Sequence, residues 1–228
     1  MRGIYQKRAC RARNARSRTP DQAPTAVSSP GMRWLVLVAC LLTAAPVLTA
    51  VKIDLTPHDV ERALVIARGR EPERERFHAP YVQRVETPFV ERVEVVSEFR
   101  RIVMLAEDRI SRGDRQFAYS VTAASEALQV WRRRVSLVAR VRFHPQNNYV
   151  GVPAVTITMV GDQNALIGVK REPLLAPASS AGQAHTVLGA IIEAVFEAAA
   201  LAQSPRDFII TLDGKDLGRF TVDFGALE

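Results

Sequence analysis

The chain has 228 residues, of which 47% are hydrophobic and 24% charged, so it has the composition of an ordinary globular protein and the length for one or two domains. Its formal net charge of +7 lies entirely in residues 1–50, which hold eight basic side chains and one acidic one, whereas residues 51–228 hold 23 of each sign. The bulk charge of residues 51–228 therefore gives no argument for nucleic-acid binding.

Residues 1–31 are predicted to be a disordered basic leader. They are rich first in arginine and then in proline, serine and threonine, and they show no apolar periodicity. Because a complete signal peptide begins at Met32, we hypothesise that translation starts there and that the preceding residues come from a mis-assigned start.

Residues 32–50 have the three parts of a signal peptide. A basic residue is followed by an uncharged apolar run, and this run ends in small side chains before Lys52 restores charge. Cleavage is expected between Ala50 and Val51. Residues 51–228 are then expected to be a single exported domain in the periplasm or cell envelope.

Two alternatives to cleavage of the apolar run stay open, namely retention as a membrane anchor and lipidation. Its eighteen uncharged residues are about long enough to cross a bilayer, which would anchor the chain with the domain outside. The segment Leu37-Val38-Ala39-Cys40 also resembles a bacterial lipobox, in which Cys40 would carry the lipid.

Both cysteines of the chain, Cys10 and Cys40, precede residue 51, so the exported part contains no thiol. The lack of disulfides and the strong excess of arginine over lysine after residue 50 favour a bacterial envelope protein.

The exported part is predicted to begin with an amphipathic helix. Thr56 and Pro57 supply a cap and a favourable first residue, and apolar side chains then recur on one face until Gly69 ends the run. The segment 70–80 alternates in charge and ends in proline, which predicts a linker or irregular arm.

The clearest helical periodicity runs from Thr87 to Gly113. Apolar residues step by three and four along this segment, so Phe99 and Val103 are predicted to face the core and Arg100 to face solvent. A weaker helical stretch is predicted over 121–130.

From Arg134 the apolar period changes to two, which predicts strands separated by turns. Three strands are predicted over about 134–144, 154–160 and 165–171. A loop at 173–185 and a helix from Val187 to about Gln203 are predicted to follow. The sequence Asp213-Gly214 between two apolar runs then predicts a terminal hairpin.

This order of elements predicts an α+β fold. A helical part at about 56–130 precedes a sheet-rich part at about 134–228, and the sheet is expected to be mostly antiparallel, with a three-strand meander and a C-terminal hairpin. The amphipathic helices are expected to cover one face of this sheet.

The best candidate for a ligand surface lies on the first strand of the predicted meander. Period-two alternation places Arg140, Arg142 and His144 together on the face opposite Val141 and Phe143. Such a row can bind phosphate or carboxylate groups, so the expected partner is an envelope protein or an anionic envelope component. The alternative is a solvated face, or one paired with carboxylates of the long predicted helix.

The sequence offers no pattern for a catalytic site, a metal site or a cofactor. The four histidines lack the spacing of metal ligands. Glu193 and Glu197 lie one turn apart on a predicted helix, where they indicate its solvent face rather than a metal site. No nucleophile elbow, phosphate-binding loop or dinucleotide fingerprint is present.

We therefore predict a non-enzymatic binding or structural domain of the bacterial envelope. Two alternatives stay open: an envelope hydrolase whose active site is assembled from dispersed residues, and a carrier of a small apolar ligand. A compact pocket holding a polar triad would favour the hydrolase. An unfilled cavity between sheet and helices would favour the carrier. Nucleic-acid binding is not expected, and contact with a membrane is expected only through an uncleaved or lipidated leader.

Overall fold

The computed structural model describes residues 52–227 except for 86, 145, 147–148, 150, 177–185 and 202–204. The predictions for the leader, including those for Cys40, Ala50 and Val51, lie outside the described residues. The same holds for His185 and for most of the predicted loop at 173–185.

The predicted α+β class is confirmed, because helices and antiparallel strands share the described part of the chain. The helices are α1 (Pro57–Ala67), α2 (Glu71–His78), α3 (Glu98–Ser111) and α4 (Val121–Ala127). The strands are β1 (Val82–Gln83), β2 (Val90–Val96), β3 (Arg134–Arg142), β4 (Val155–Met159), β5 (Leu166–Leu175), β6 (Val187–Glu197), β7 (Arg206–Leu212) and β8 (Lys215–Val222).

The strands form two antiparallel sheets. The larger sheet has the order β1-β2-β3-β6-β5, and the smaller one has the order β4-β7-β8. The predicted meander is wrong, because β3 pairs with β2 and β6, whereas β4 belongs to the smaller sheet and pairs with β7. The long apolar strand β6 pairs with all nine residues of β3, whereas β4 has only five residues and could pair with about half of that strand.

The main core lies between the inner faces of the two sheets. Alternate residues of β3, from Val135 to Val141, are fully buried in the same cluster as Ile157 of β4. The two sheets also meet through aromatic rings, since the centroids of Phe196 on β6 and Phe208 on β7 are 5.5 Å apart. Face-to-face packing of this kind buries one side of each sheet.

A second apolar cluster is formed by helices α1, α3 and α4. As predicted, Phe99 and Val103 of α3 face this core, with exposures of 2% and 0%. Phe77 of α2 packs against both clusters and contacts the rings of Tyr81 and Phe99.

Helix α1 begins where the sequence predicts. The amide of Asp59 donates to the hydroxyl of Thr56, and the carboxylate of Asp59 accepts from the amide of Thr56, which completes a capping box. Lys52 Nζ lies 2.6 Å from this carboxylate. The hydrogen bonds from Lys52 and Thr56 hold the pKa of Asp59 well below its usual range.

The segment predicted as a linker at 70–80 is instead largely helix α2. Its start is stabilised by Glu73, whose carboxylate accepts the amide N–H of Arg70 at 3.0 Å. Acidic residues occupy the first turn and basic residues the last, an arrangement that complements the helix dipole. The alternating charge that indicated a linker is therefore the charge pattern of a solvent-exposed helix.

The predicted helix from Thr87 to Gly113 is wrong in its first half, because residues 90–96 form strand β2 and α3 begins after Ser97. A bulge between Val90 and Arg92 adds one residue to β2. Val90 and Val93 are therefore both buried although they lie three positions apart. This spacing imitates one turn of a helix.

The predicted helix at 187–203 is also wrong, because residues 187–197 form strand β6. This strand has a neighbour on each side and apolar residues on both of its faces, and periodicity cannot distinguish such a run from a buried helix. Glu193 and Glu197 are consequently about 13 Å apart along a strand rather than one helical turn apart. Glu193 binds Arg101 of α3, with N and O atoms 3.1 Å apart.

The terminal hairpin is confirmed as β7 and β8. Asp213 and Gly214 connect these strands with φ angles of 48° and 79°. Two successive positive φ angles match the twist of a two-residue hairpin turn, which is why a glycine follows the aspartate. No helix in the described ranges has the length and apolar character needed to cross a bilayer.

Candidate functional site at one end of the larger sheet

The predicted arginine row lies on the outer face of the larger sheet. Arg140 and Arg142 alternate along β3 with the buried Val141, and His144 follows the end of the strand. The side chains of Arg140 and Arg142 are 43% and 72% exposed, and His144 is exposed as well. The structure therefore presents all three predicted residues to solvent.

One carboxylate lies between the two arginines. Arg140 Nε is 2.8 Å from Glu91 Oε2, and Arg142 Nε forms an ion pair with the other oxygen of Glu91. Glu91 belongs to the bulge of β2, in the segment that was predicted as a helix, so the alternative of a row paired with carboxylates of that segment is met by this one residue. Two guanidinium groups thus share a single carboxylate, so the pairing leaves positive charge uncompensated.

An apolar groove of about 340 Å³ opens beside this row, between the ends of the two sheets. Arg142 and His144 contribute its polar lining. Its apolar lining comes from six residues: Phe89, Val141, Phe143, Tyr149, Leu212 and Leu217. The volume is at the lower end of the roughly 300–1,000 Å³ that is usual for small-molecule sites.

Exposed apolar side chains flank the backbone of the arginine row on both sides. The amide of Arg142 donates to the carbonyl of Phe89, and the amide of Phe143 donates to the carbonyl of Leu188. Phe89 is 39% exposed and Leu188 is 50% exposed. This end of the sheet therefore combines cationic groups with an accessible apolar surface.

The edge strand β5 is poorly suited to pairing with a strand of another protein. Lys170, Arg171 and Glu172 place charges along it, and Pro173 removes one backbone donor. Arg171 Nε also donates to the carbonyl of Val155 on β4 at 2.7 Å. Charges and proline on an edge strand oppose the addition of another strand.

A buried polar network between α2, α3 and β2 was not predicted from the sequence. Arg100, which was predicted to be exposed, is 3% exposed. Its guanidinium donates to the carbonyl of Val95 at 2.6 Å, to Glu94 Oε2 at 3.1 Å and to His78 Nδ1 at 3.2 Å. Burial lowers the pKa of Arg100, and the charge of Glu94 opposes this shift. These partners lie on other elements, so no spacing in the sequence indicates them.

The network fixes the tautomer of His78. Because Nδ1 accepts the N–H of Arg100, Nε2 carries the proton and donates to Glu107, whose oxygens lie 3.1 and 3.2 Å away. A histidine beside a carboxylate could serve as a general base. Here, however, the lone pair of Nδ1 is already used by Arg100, so the arrangement orients the arginine and supplies no base for a nucleophile.

A buried carboxylate, that of Glu98, lies near the start of β3. Glu98 accepts the amide N–H of Arg133, a residue with a φ of 56°, and burial raises the pKa of Glu98. Arg133 also binds Asp54, and this hydrogen bond lowers the pKa of the Asp54 carboxyl. Opposite shifts in two carboxylates are a feature of acid–base sites. The adjoining cavity measures about 120 Å³, which is below the roughly 300–1,000 Å³ that is usual for small-molecule sites.

Within the part of the chain that the structure describes, no group of three or more histidine, cysteine, aspartate or glutamate side chains is arranged to hold a metal ion. His58, His78 and His144 lie on α1, on α2 and after β3, respectively. The structure does not bring these three histidines into a common site.

These observations define a class of protein: an α+β domain with two packed antiparallel sheets, a helical layer, and a cationic row beside an apolar groove. A scan against protein-family models found no match for this sequence, and searches of the curated proteins and of the solved structures gave none either.

Proposed function

We propose that this protein is an exported, non-enzymatic domain of the bacterial cell envelope that binds an anionic envelope component through Arg140, Arg142 and His144. The observation that supports this proposal best is the sharing of Glu91 by two exposed guanidinium groups. Arginine binds phosphate and carboxylate groups through several parallel hydrogen bonds, which suits an anionic partner.

Export is supported by the signal-peptide pattern of residues 32–50. Mass spectrometry of the protein recovered from the envelope fraction is expected to find Val51 at the N-terminus. A chain that begins at a lipidated Cys40 would establish the lipoprotein alternative. A chain that still carries residues 34–50 without lipid would establish an uncleaved anchor.

The binding proposal is tested by the double substitution Arg140→Gln/Arg142→Gln in the processed protein. Vesicles that contain phosphatidylglycerol serve as a phosphate-bearing probe for the arginine row and not as its proposed partner. We expect the double substitution to weaken cosedimentation with them by roughly thirtyfold, since each arginine near an anionic lipid surface contributes about 1 kcal/mol. The salt dependence of binding should also decrease, because exposed charges are screened by salt.

The chain offers a matched control and a variant of opposite effect. Arg109→Gln/Arg112→Gln also removes two exposed, ion-paired arginines, and it should leave vesicle binding unchanged. Glu91→Gln removes the competing carboxylate and should strengthen binding. If the Arg140/Arg142 variant loses thermal stability but binds vesicles as the wild type does, the row is a structural feature and the proposal is wrong.

A further inference from the structure

We infer that the groove beside Arg142 binds the apolar tail of a single-chain anionic amphiphile, whose phosphate or carboxylate head contacts Arg142 and His144. This inference rests on the proposed function, because it names the kind of anion that the arginine row would bind. To the anion subsite at the arginine row, the inference adds a subsite for an apolar tail in the groove between the ends of the two sheets.

The lining of the groove favours hydrocarbon. The rings of Phe143 and Tyr149 lie 4.9 Å apart at their centroids and form one wall. Leu212 at the end of β7 and Leu217 on β8 add half-buried aliphatic side chains. Covering such surface is favourable in rough proportion to the apolar area that is removed from water. An apolar tail in the groove would therefore complete a core that the sheets leave open at this end.

The size of the groove favours one chain. Its volume of about 340 Å³ lies near the lower end of the range that is usual for small-molecule sites. A short single tail fits this space, whereas the two long tails of a phospholipid do not.

The rim of the groove favours an anionic head. The Nδ1 atom of His144 accepts the amide N–H of Gln146 at 3.2 Å, so in the neutral ring Nε2 carries the proton and is a donor. Arg142 shares the carboxylate of Glu91 with Arg140, and a guanidinium has five N–H donors. Both polar groups at the rim can therefore donate hydrogen bonds to one anion.

The test compares three soluble probes by isothermal titration calorimetry on the processed protein. Octyl phosphate has both the head and the tail, inorganic phosphate has the head alone, and octyl glucoside has a similar tail without charge. We expect octyl phosphate to bind more than about tenfold tighter than either of the others, because inorganic phosphate lacks the apolar tail and octyl glucoside lacks the negative charge. Equal binding of octyl phosphate and inorganic phosphate would overturn the tail subsite, and equal binding of the two octyl compounds would overturn recognition of the head.

Substitutions locate the site. Leu217→Trp fills the groove and should lower the affinity for octyl phosphate by more than about tenfold. Ile167→Trp adds the same bulk at an exposed position on β5 and should leave the affinity unchanged. If Leu217→Trp does not fold, as judged by its melting temperature, Phe89→Gln removes a half-exposed apolar wall and should lower the affinity in its place.

The outcomes separate the two proposals. If Arg140→Gln/Arg142→Gln weakens vesicle binding while folded groove variants bind octyl phosphate as the wild type does, only the groove inference fails. If the double arginine variant binds vesicles normally, the proposed function fails, whatever the groove binds.

Discussion

Replacement of Arg100 by alanine is expected to lower the free energy of unfolding by about 3–5 kcal/mol, because it leaves buried polar groups without their partner. Glu94, the carbonyl of Val95 and Nδ1 of His78 all bind the Arg100 guanidinium, and the side chain is almost fully buried. Denaturant unfolding followed by circular dichroism measures the loss.

Arg112→Ala, at the capping residue that follows α3, is the matched control. Its side chain is 74% exposed and pairs with Asp108 one turn earlier. The expected loss is below about 0.5 kcal/mol, since exposed ion pairs of this kind contribute little. Equal, small losses for Arg100→Ala and Arg112→Ala would show that α3 does not turn Arg100 toward β2.

Truncation of Phe208 to alanine is expected to cost about 3–5 kcal/mol, the usual range for a fully buried phenylalanine. The Phe208 ring contacts Phe196 across the sheets and also Phe220 and Phe224, with centroid distances of 5.5, 5.4 and 6.1 Å. The cavity left by this ring would lie where β6 and β7 meet, so both sheets lose contacts.

Phe89→Ala removes the same atoms from a side chain that is 39% exposed, and it should cost clearly less. Thermal unfolding of the two variants in the same buffer gives the comparison. A similar fall in melting temperature for both would mean that Phe208 is not at the centre of the core.

The sequence predicted those elements whose pattern is local. Alternation identified β3, the turn Asp213-Gly214 identified the hairpin, and the apolar stripe of α3 placed Phe99 in the core. Strand β2 was missed because its bulge gives Val90 and Val93 the spacing of a helix. Strand β6 was missed because it is apolar on both faces. In each case the tertiary environment supplied information that a single segment does not contain.

The candidate site was predictable only in part. Strand alternation placed Arg140, Arg142 and His144 on one face, and all three side chains are accessible to solvent in the structure. The pairing with Glu91 depends on which strand lies beside β3, and the groove depends on how the two sheets meet. Arg100 was predicted to be exposed because a charged residue next to an apolar stripe usually faces solvent, and only its distant partners account for its burial.

The order of the larger sheet has a consequence for how the chain folds as it is made. The central strand β3 takes its second neighbour from residues 187–197, about fifty positions later, and β5 pairs with the same late strand. Sheets that depend on such distant pairings form slowly, because closing the long intervening loop costs chain entropy before the new contacts offset it. A polypeptide that emerges from its N-terminus therefore cannot close this sheet until nearly all of it has been synthesised. Until then residues 134–142 lack one of their two neighbouring strands, so the larger sheet stays incomplete while the last fifth of the chain is being made.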